Sequence, residues 1–183
     1  MNPWYALRVR TAGESRSKTV LENKGYEVFL PTFLDCRHYS DRIKKLQSPL
    51  FPGYLFCRLD TDFRLPVLTT VGVESIISFA GVPCPVEEHE LDAVRKATLA
   101  KMPVNPWPYL ASGDHVMVEF GSLAGTEGIL VRTRGADRLV ISVNLLQQSV
   151  SVEIDRAWVR PVKMSAASYS IPGAARAAAA HAG

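Results

Sequence analysis

Residues 49–56 read Pro-Leu-Phe-Pro-Gly-Tyr-Leu-Phe, and the reading of this stretch decides the fold. Three aromatics, two prolines and a glycine stand within it, with basic residues upstream and Asp60 and Asp62 downstream. Proline fixes φ and glycine admits positive φ, so the stretch predicts a bend leading into a strand. Phe51, Tyr54, Leu55 and Phe56 carry more apolar area than a solvated loop usually exposes. Two readings stand at this point: a strand entering a core, or an aromatic-lined binding surface held on a rigid bend.

Upstream, Trp4–Arg10 alternates and predicts a strand with Trp4 and Ala6 on one face and Tyr5, Leu7 and Val9 on the other. Glu14–Lys24 reads as a mostly wet helix, anchored by Val20 and Leu21, acidic at its start and closed by Gly25. Tyr26–Leu30 and Phe33–Tyr39 are strands, and Ser40–Lys45 is the basic tip of a hairpin. Downstream, Tyr54–Leu59 is a strand with Leu55 and Cys57 facing away from Tyr54 and Phe56. A short helix interrupted by Pro66 follows, then a strand over Val73–Phe79. Glu87–Lys101 is the clearest helix, with Leu91, Val94 and Thr98 on one face. Together these predict an α+β domain over residues 1–101, an antiparallel sheet flanked by helices.

Met102–Leu110 holds three prolines and no periodic pattern, and reads as a semi-rigid linker. Beyond it the pattern changes to five short runs rich in β-branched residues: Val116/Val118, Ile129/Val131, Val140–Val143, Val150–Ile154 and Val159/Val162. Glycines separate them, which predicts a small all-β barrel over residues 111–163. Residues 164–183 are dominated by Ala, Ser and Gly and predict a disordered tail.

Composition narrows the function. The 183 residues carry a net charge of +3, 47% hydrophobic and 21% charged residues. No apolar run approaches the roughly 20 residues of a membrane span, and no signal peptide is evident at the start, so a cytoplasmic location is expected. The odd, widely spaced cysteines Cys36, Cys57 and Cys84 suit reduced thiols. Cys36 and His38 alone do not make a zinc site, and no metal or cofactor is expected. No nucleophile motif or phosphate loop is present, and the acidic Glu87, Glu88, Glu90 and Asp92 are accounted for by the helix dipole. An enzyme, including a thiol enzyme around Cys57, is therefore not expected. A basic excess in residues 1–103 gathers at Arg8/Arg10, Arg16/Lys18 and Arg42/Lys44/Lys45, which suits either a solvated face or nucleic acid.

Gly113–Val131, reading GDHVMVEFGSLAGTEGILV, has the strand, glycine-paced loop and strand of a KOW motif in an SH3-like barrel. The order of WYALRVR, a helix ending on glycine, EVFLP, a basic hairpin, PLFPGYLF, the Thr70–Val73 turn and a KOW motif resembles the NusG family of transcription elongation factors. The resemblance spans about 160 of the 183 residues. Pro83–Val86, the basic hairpin and the unabbreviated barrel are similar to specialised RfaH-like and UpxY-like antiterminators.

This resemblance implies an N-terminal domain that docks on the clamp helices of the largest RNA polymerase subunit. The matching residues are Arg8, Phe51, Pro52, Phe56, Phe79, Val94 and Leu99. Phe51 is expected to be an exposed anchor with Leu55 beneath it, and Arg8 to face an acidic clamp residue. Arg10, Arg16, Lys18, Lys24, Arg42, Lys44 and Lys45 match the face that meets the non-template DNA strand. The loop after Asp60 matches a segment that reaches the opposite jaw of the polymerase, although a leucine- and threonine-containing run replaces its polar motif. Leu123, Ala124, Thr126 and Glu127 match the loop that meets a small-subunit ribosomal protein or Rho. Leu123 and Thr126 stand where aromatics are usual, which fits a factor that does not recruit Rho. A second hypothesis is a ribosomal or RNA-binding KOW protein without polymerase binding. The β-branched barrel argues against a stable helical form of the second domain.

Overall fold

The computed structural model describes residues 2–38, 43–100, 102–110, 113–133 and 136–162. Chain order runs β1 (Trp4–Val9), α1 (Glu14–Asn23), β2 (Val28–Phe29), β3 (Thr32–His38), β4 (Ile43–Pro49), β5 (Tyr54–Arg58), α2 (Leu65–Leu68), β6 (Val73–Ile76), β7 (Ser78–Phe79), β8 (Val82–Pro83), β9 (Pro85–Val86) and α3 (Glu88–Leu99). Then follow β10 (Val104–Trp107), β11 (Asp114–Val118), β12 (Glu127–Thr133), β13 (Ala136–Val143), β14 (Gln148–Glu153) and β15 (Val159–Pro161).

The first domain is an antiparallel sheet in the order β2-β5-β1-β6, with β9 also pairing β1. Strand alternation divides its side chains between two layers. Tyr5, Leu7, Val9, Leu55 and Cys57 pack with Leu21 of α1 in one cluster. Trp4, Ala6, Phe51 and Phe56 face the other way and share a cluster with Leu91, Val94 and Ala97 of α3. β3 and β4 form a separate two-stranded ribbon in register from Thr32↔Pro49 to His38↔Ile43. The expected Val73–Phe79 strand is broken into β6 and β7, and β7 pairs with β8 rather than with the main sheet.

The second domain is all strand, in the order β10-β14-β13-β12-β11-β15. Val116, Val118, Leu139, Ile141, Val143, Val150, Val152 and Ile154 fill its interior. Gly128 is required by closeness rather than by φ: a Cβ there would lie 2.6 Å from the Val140 carbonyl oxygen.

The stretch expected to be a linker is in part a strand. Val104–Trp107 pairs with β14 from Val104↔Val152 to Trp107↔Ser149. Its prolines hid this, because a proline lacks the N–H that a central strand needs. β10 is an edge strand, where that loss is tolerated. The expected disordered tail, residues 164–183, falls outside the described residues.

Candidate functional site

PLFPGYLF begins as the end of β4 and finishes in β5, and between them it makes a β-turn. The Tyr54 N–H donates to the Phe51 carbonyl at 3.1 Å, with Pro52 at the second position and Gly53 at the third, φ +80°. That is the type II arrangement, in which proline and glycine each occupy the corner that suits them. The Val9 N–H donates to the Gly53 carbonyl at 2.9 Å. From the other side, the Gly53 N–H donates to Oε1 of Glu14 at 2.9 Å, and Glu14 is only 4% exposed. The carboxylate at the start of α1 therefore holds the bend on the sheet, beyond what its place near the helix dipole required.

The turn folds Phe51 inward. Phe51 is 1% exposed and meets the Phe56 ring edge-on at 5.8 Å; Phe29 stacks on Phe56 at 6.1 Å. This corrects the expectation of Phe51 as an exposed anchor: the anchoring bend turns its ring into the core. Leu55 does not lie beneath it either, since it points to the α1 side of the sheet. Of the other residues matched to a polymerase surface, Phe56 and Val94 are fully buried, while Arg8, Pro52, Phe79 and Leu99 are exposed. Arg8 already has a partner in its own chain, with its Nε 3.5 Å from Oε2 of Glu74. After Asp60, Phe63 and Leu65 stand out into solvent on the segment whose usual polar motif is missing.

The basic residues separate into two groups. Arg10 and Arg16 are exposed and line an open concavity of about 520 Å³ with Thr11–Gly13, Ser17 and Val71–Glu74. Lys18 and Lys24 have internal partners: Lys18 pairs with Glu22 at 2.7 Å, and Lys24 donates to the Pro66 carbonyl and the Thr70 hydroxyl. Lys44 and Lys45 lie on β4 rather than in the hairpin tip, with Lys45 exposed. Arg42 lies outside the described residues.

The glycine loop of the barrel is open only in part. Leu123 and Thr126 are each 2% exposed, while Ala124 and Glu127 are exposed. Leu123 belongs to the same contiguous apolar cluster as Leu91, Val94 and Ala97 of α3, and Leu145 and Leu146 pack against that cluster. α3 lies against β13, and Lys96 Nζ donates to the Ala124 carbonyl at 3.3 Å. Val94, matched to a polymerase surface on α3, and Leu123, matched to a partner loop on the barrel, therefore share one apolar cluster, whereas Leu99 stays in solvent.

A polar contact at the rim accompanies it. Glu90 of α3 is 6% exposed and, among the described residues, takes side-chain hydrogen bonds from Asn144, in the 3-10 turn Asn144–Leu146 after β13. The Asn144 N–H lies 3.3 and 3.4 Å from the two carboxylate oxygens, and its Nδ2 lies 2.6 Å from Oε1. Burial pushes the Glu90 carboxyl up to about 7 against the pull of the Asn144 donors, and Glu87 adds to the rise. Sequence reading took Glu90 as a helix-dipole residue and passed over Asn144, because a contact across 54 residues leaves no local pattern.

Chemistry of the nucleophilic kind finds no support at Cys57. Burial, with Glu27 adding to it, pushes that thiol up to about 12, so it stays protonated at neutral pH. Among the described residues no group of three or more His, Cys, Asp or Glu is placed to hold a metal ion, and no helix is long and apolar enough to cross a membrane.

Known proteins similar to this chain include one solved structure and one sequence family. A solved structure described as "Domain interaction in Thermotoga maritima NusG" is 19% identical, with a TM-score of 0.49, covering 89% of this chain and 98% of that one. The family model described as "Transcription termination factor nusG" matches residues 2–95, the whole of the first domain up to the middle of α3. That match takes in just over half of the sequence, and the chain belongs to the NusG family, non-enzymatic transcription factors that act in elongation and antitermination with RNA polymerase.

Proposed function

We propose that this chain binds elongating RNA polymerase through its first domain, on the clamp helices of the largest subunit, and promotes processive elongation and antitermination. Among the residues matched to that surface, Phe79 and Leu99, 58% and 77% exposed, supply the apolar contacts, and the exposed Pro52 and Arg8 supply a turn contact and a polar one. Phe51, Phe56 and Val94 act from beneath, holding the surface in shape. Arg10 and Arg16 meet the non-template DNA strand as phosphate contacts, which position a protein without reading sequence.

The observation that carries this reading is the shared apolar cluster of α3 and the barrel. It supports a factor with a closed form, in which each domain covers part of the other's partner surface. The barrel loop then reaches a small-subunit ribosomal protein only after the domains part. Leu123 and Thr126, in place of aromatics, support a specialised antiterminator that does not recruit Rho.

The test is retention of core RNA polymerase by the immobilised full chain. Phe79→Ala and Leu99→Ala remove exposed side chains and leave the fold intact, and each is expected to reduce retention several-fold. Retention undiminished by both substitutions overturns the docking surface. No retention by the unaltered chain overturns the function.

A further inference from the structure

We infer that Asn144 is a clasp that couples two events, release of α3 from the barrel and release of the β10 strand from β14, so that opening the domains also lengthens their tether. The inference rests on the closed form proposed above and concerns how that form is held and let go.

Asn144 makes contacts on three sides. Its N–H and Nδ2 donate to Glu90 of α3. Its Oδ1 accepts from the hydroxyl of Tyr109, just beyond β10, at 2.9 Å. Its carbonyl accepts from the N–H and Nε2 of Gln147, which holds the turn itself on the barrel. A single side-chain amide thus joins the first domain, the interdomain segment and the second domain. It stands at the exposed rim of the interface, where separation would begin.

The interdomain segment is built to come away. With β10 in place, only residues 100–103 separate the last residue of α3, Leu99, from the first of β10, Val104. Four residues reach about 14 Å at most. With β10 released, residues 100–113 lead to β11 and reach about 45–50 Å. β10 is four residues long, lies at the sheet edge and contains Pro106, flanked by Pro103 and Pro108, so its ladder with β14 is short and lacks a donor. Trp107, stacked under Arg138 with the guanidinium 5.8 Å from the ring centre, and the Leu110 bonds to Ser142 and Ser149 hold the far end. Four residues cannot let α3 and the barrel separate widely, which is why the two releases belong together.

The experiment uses the full chain without polymerase, so its outcome is independent of whether polymerase binds. Independent tumbling of the domains is read from backbone ¹⁵N relaxation, and β10 release from hydrogen exchange of the amides in β10 and β14. Asn144→Ala removes the side-chain contacts to both Glu90 and Tyr109 and is expected to raise both measures together. Exchange in β10 and β14 should rise about ten- to a hundredfold, the loss expected for two side-chain hydrogen bonds. Tyr109→Phe, which cuts only the arm to the interdomain segment, should raise both by less. Domains that tumble independently while β10 stays fully protected would overturn the coupling and leave the closed form standing. No change in either measure in Asn144→Ala would overturn Asn144 as the clasp. Barrel signals that stay dispersed in each variant exclude misfolding as the cause.

Discussion

Glu14→Ala should loosen the bend at residues 49–56 without touching it. The Glu14 carboxylate is the acceptor for the Gly53 N–H at 2.9 Å, and both residues are buried. A hydrogen bond to a charged group contributes about 1.5–3 kcal/mol, and its loss leaves the Gly53 N–H buried without an acceptor. Glu14 is also the first residue of α1, where a carboxylate adds about 0.3–1 kcal/mol against the helix dipole. The expected cost is about 2–4 kcal/mol, or a fall in Tm of roughly 5–15 °C for a chain of this size. Glu14→Gln keeps an oxygen in place and gives up the charge, so it should cost about half as much. Calorimetry gives the stability, and hydrogen exchange at the Gly53 amide locates the effect: protected in the unaltered chain, fast in Glu14→Ala. Stability within 0.5 kcal/mol of the unaltered chain, or a Gln variant as damaged as the Ala variant, would refute the reasoning.

Three further outcomes follow from the packing and the buried carboxyl. Phe56→Ala removes a ring with no exposure that contacts Phe29 and Phe51, and should cost about 3–5 kcal/mol by urea denaturation. Gly128→Ala places a Cβ 2.6 Å from the Val140 carbonyl and 2.9 Å from Leu139 Cδ1, so the β12–β13 ladder must shift. About 3 kcal/mol of destabilisation is expected, read as loss of barrel amide signals while those of the first domain persist. Glu90 makes domain closure depend on pH. The closed form holds its carboxyl at about 7 against an ordinary 4.5, so it keeps a proton that the open form gives up. Closure is then at full strength below pH 4.5 and weakens as pH rises to about 7, by roughly 3 kcal/mol in all. Domain tumbling measured between pH 5 and 8 should show it, with the dependence flattened in Glu90→Gln; a Gln variant that keeps the full dependence would rule Glu90 out as the source.

Much of the fold was readable because its signals are local. The alternation of Trp4–Val9 assigned each side chain to the correct layer, and Gly25, at φ +87°, ended α1 where expected. The five β-branched runs of the second domain are all strands. What escaped was set by partners distant in sequence. Glu14 and Glu90 both sit at the starts of helices, where the dipole offers an adequate reason for a carboxylate. Their roles come from Gly53, 39 residues away, and Asn144, 54 residues away. β10 was hidden by a composition that excludes a central strand but permits an edge. Lys24 looked like a free cation on a basic face, yet the α2 segment captures its ammonium.

The distribution of apolar surface gives the closed arrangement its physical sense. Leu91 and Val94 of α3 and Leu123 of the barrel loop are buried together in one cluster with Leu145 and Leu146, whereas Phe79 and Leu99 remain in solvent. Separating the domains would convert the shared part of that cluster into two facing apolar patches. Contiguous exposed patches of that kind mark interaction sites or aggregation hazards. A chain that must keep such surfaces for partners gains solubility by folding one over the other until a partner replaces it. The cover must then be weaker than the partner's contact. An interface whose rim is held by one buried carboxyl and by a four-residue edge strand flanked by prolines has the few, short contacts that this requires.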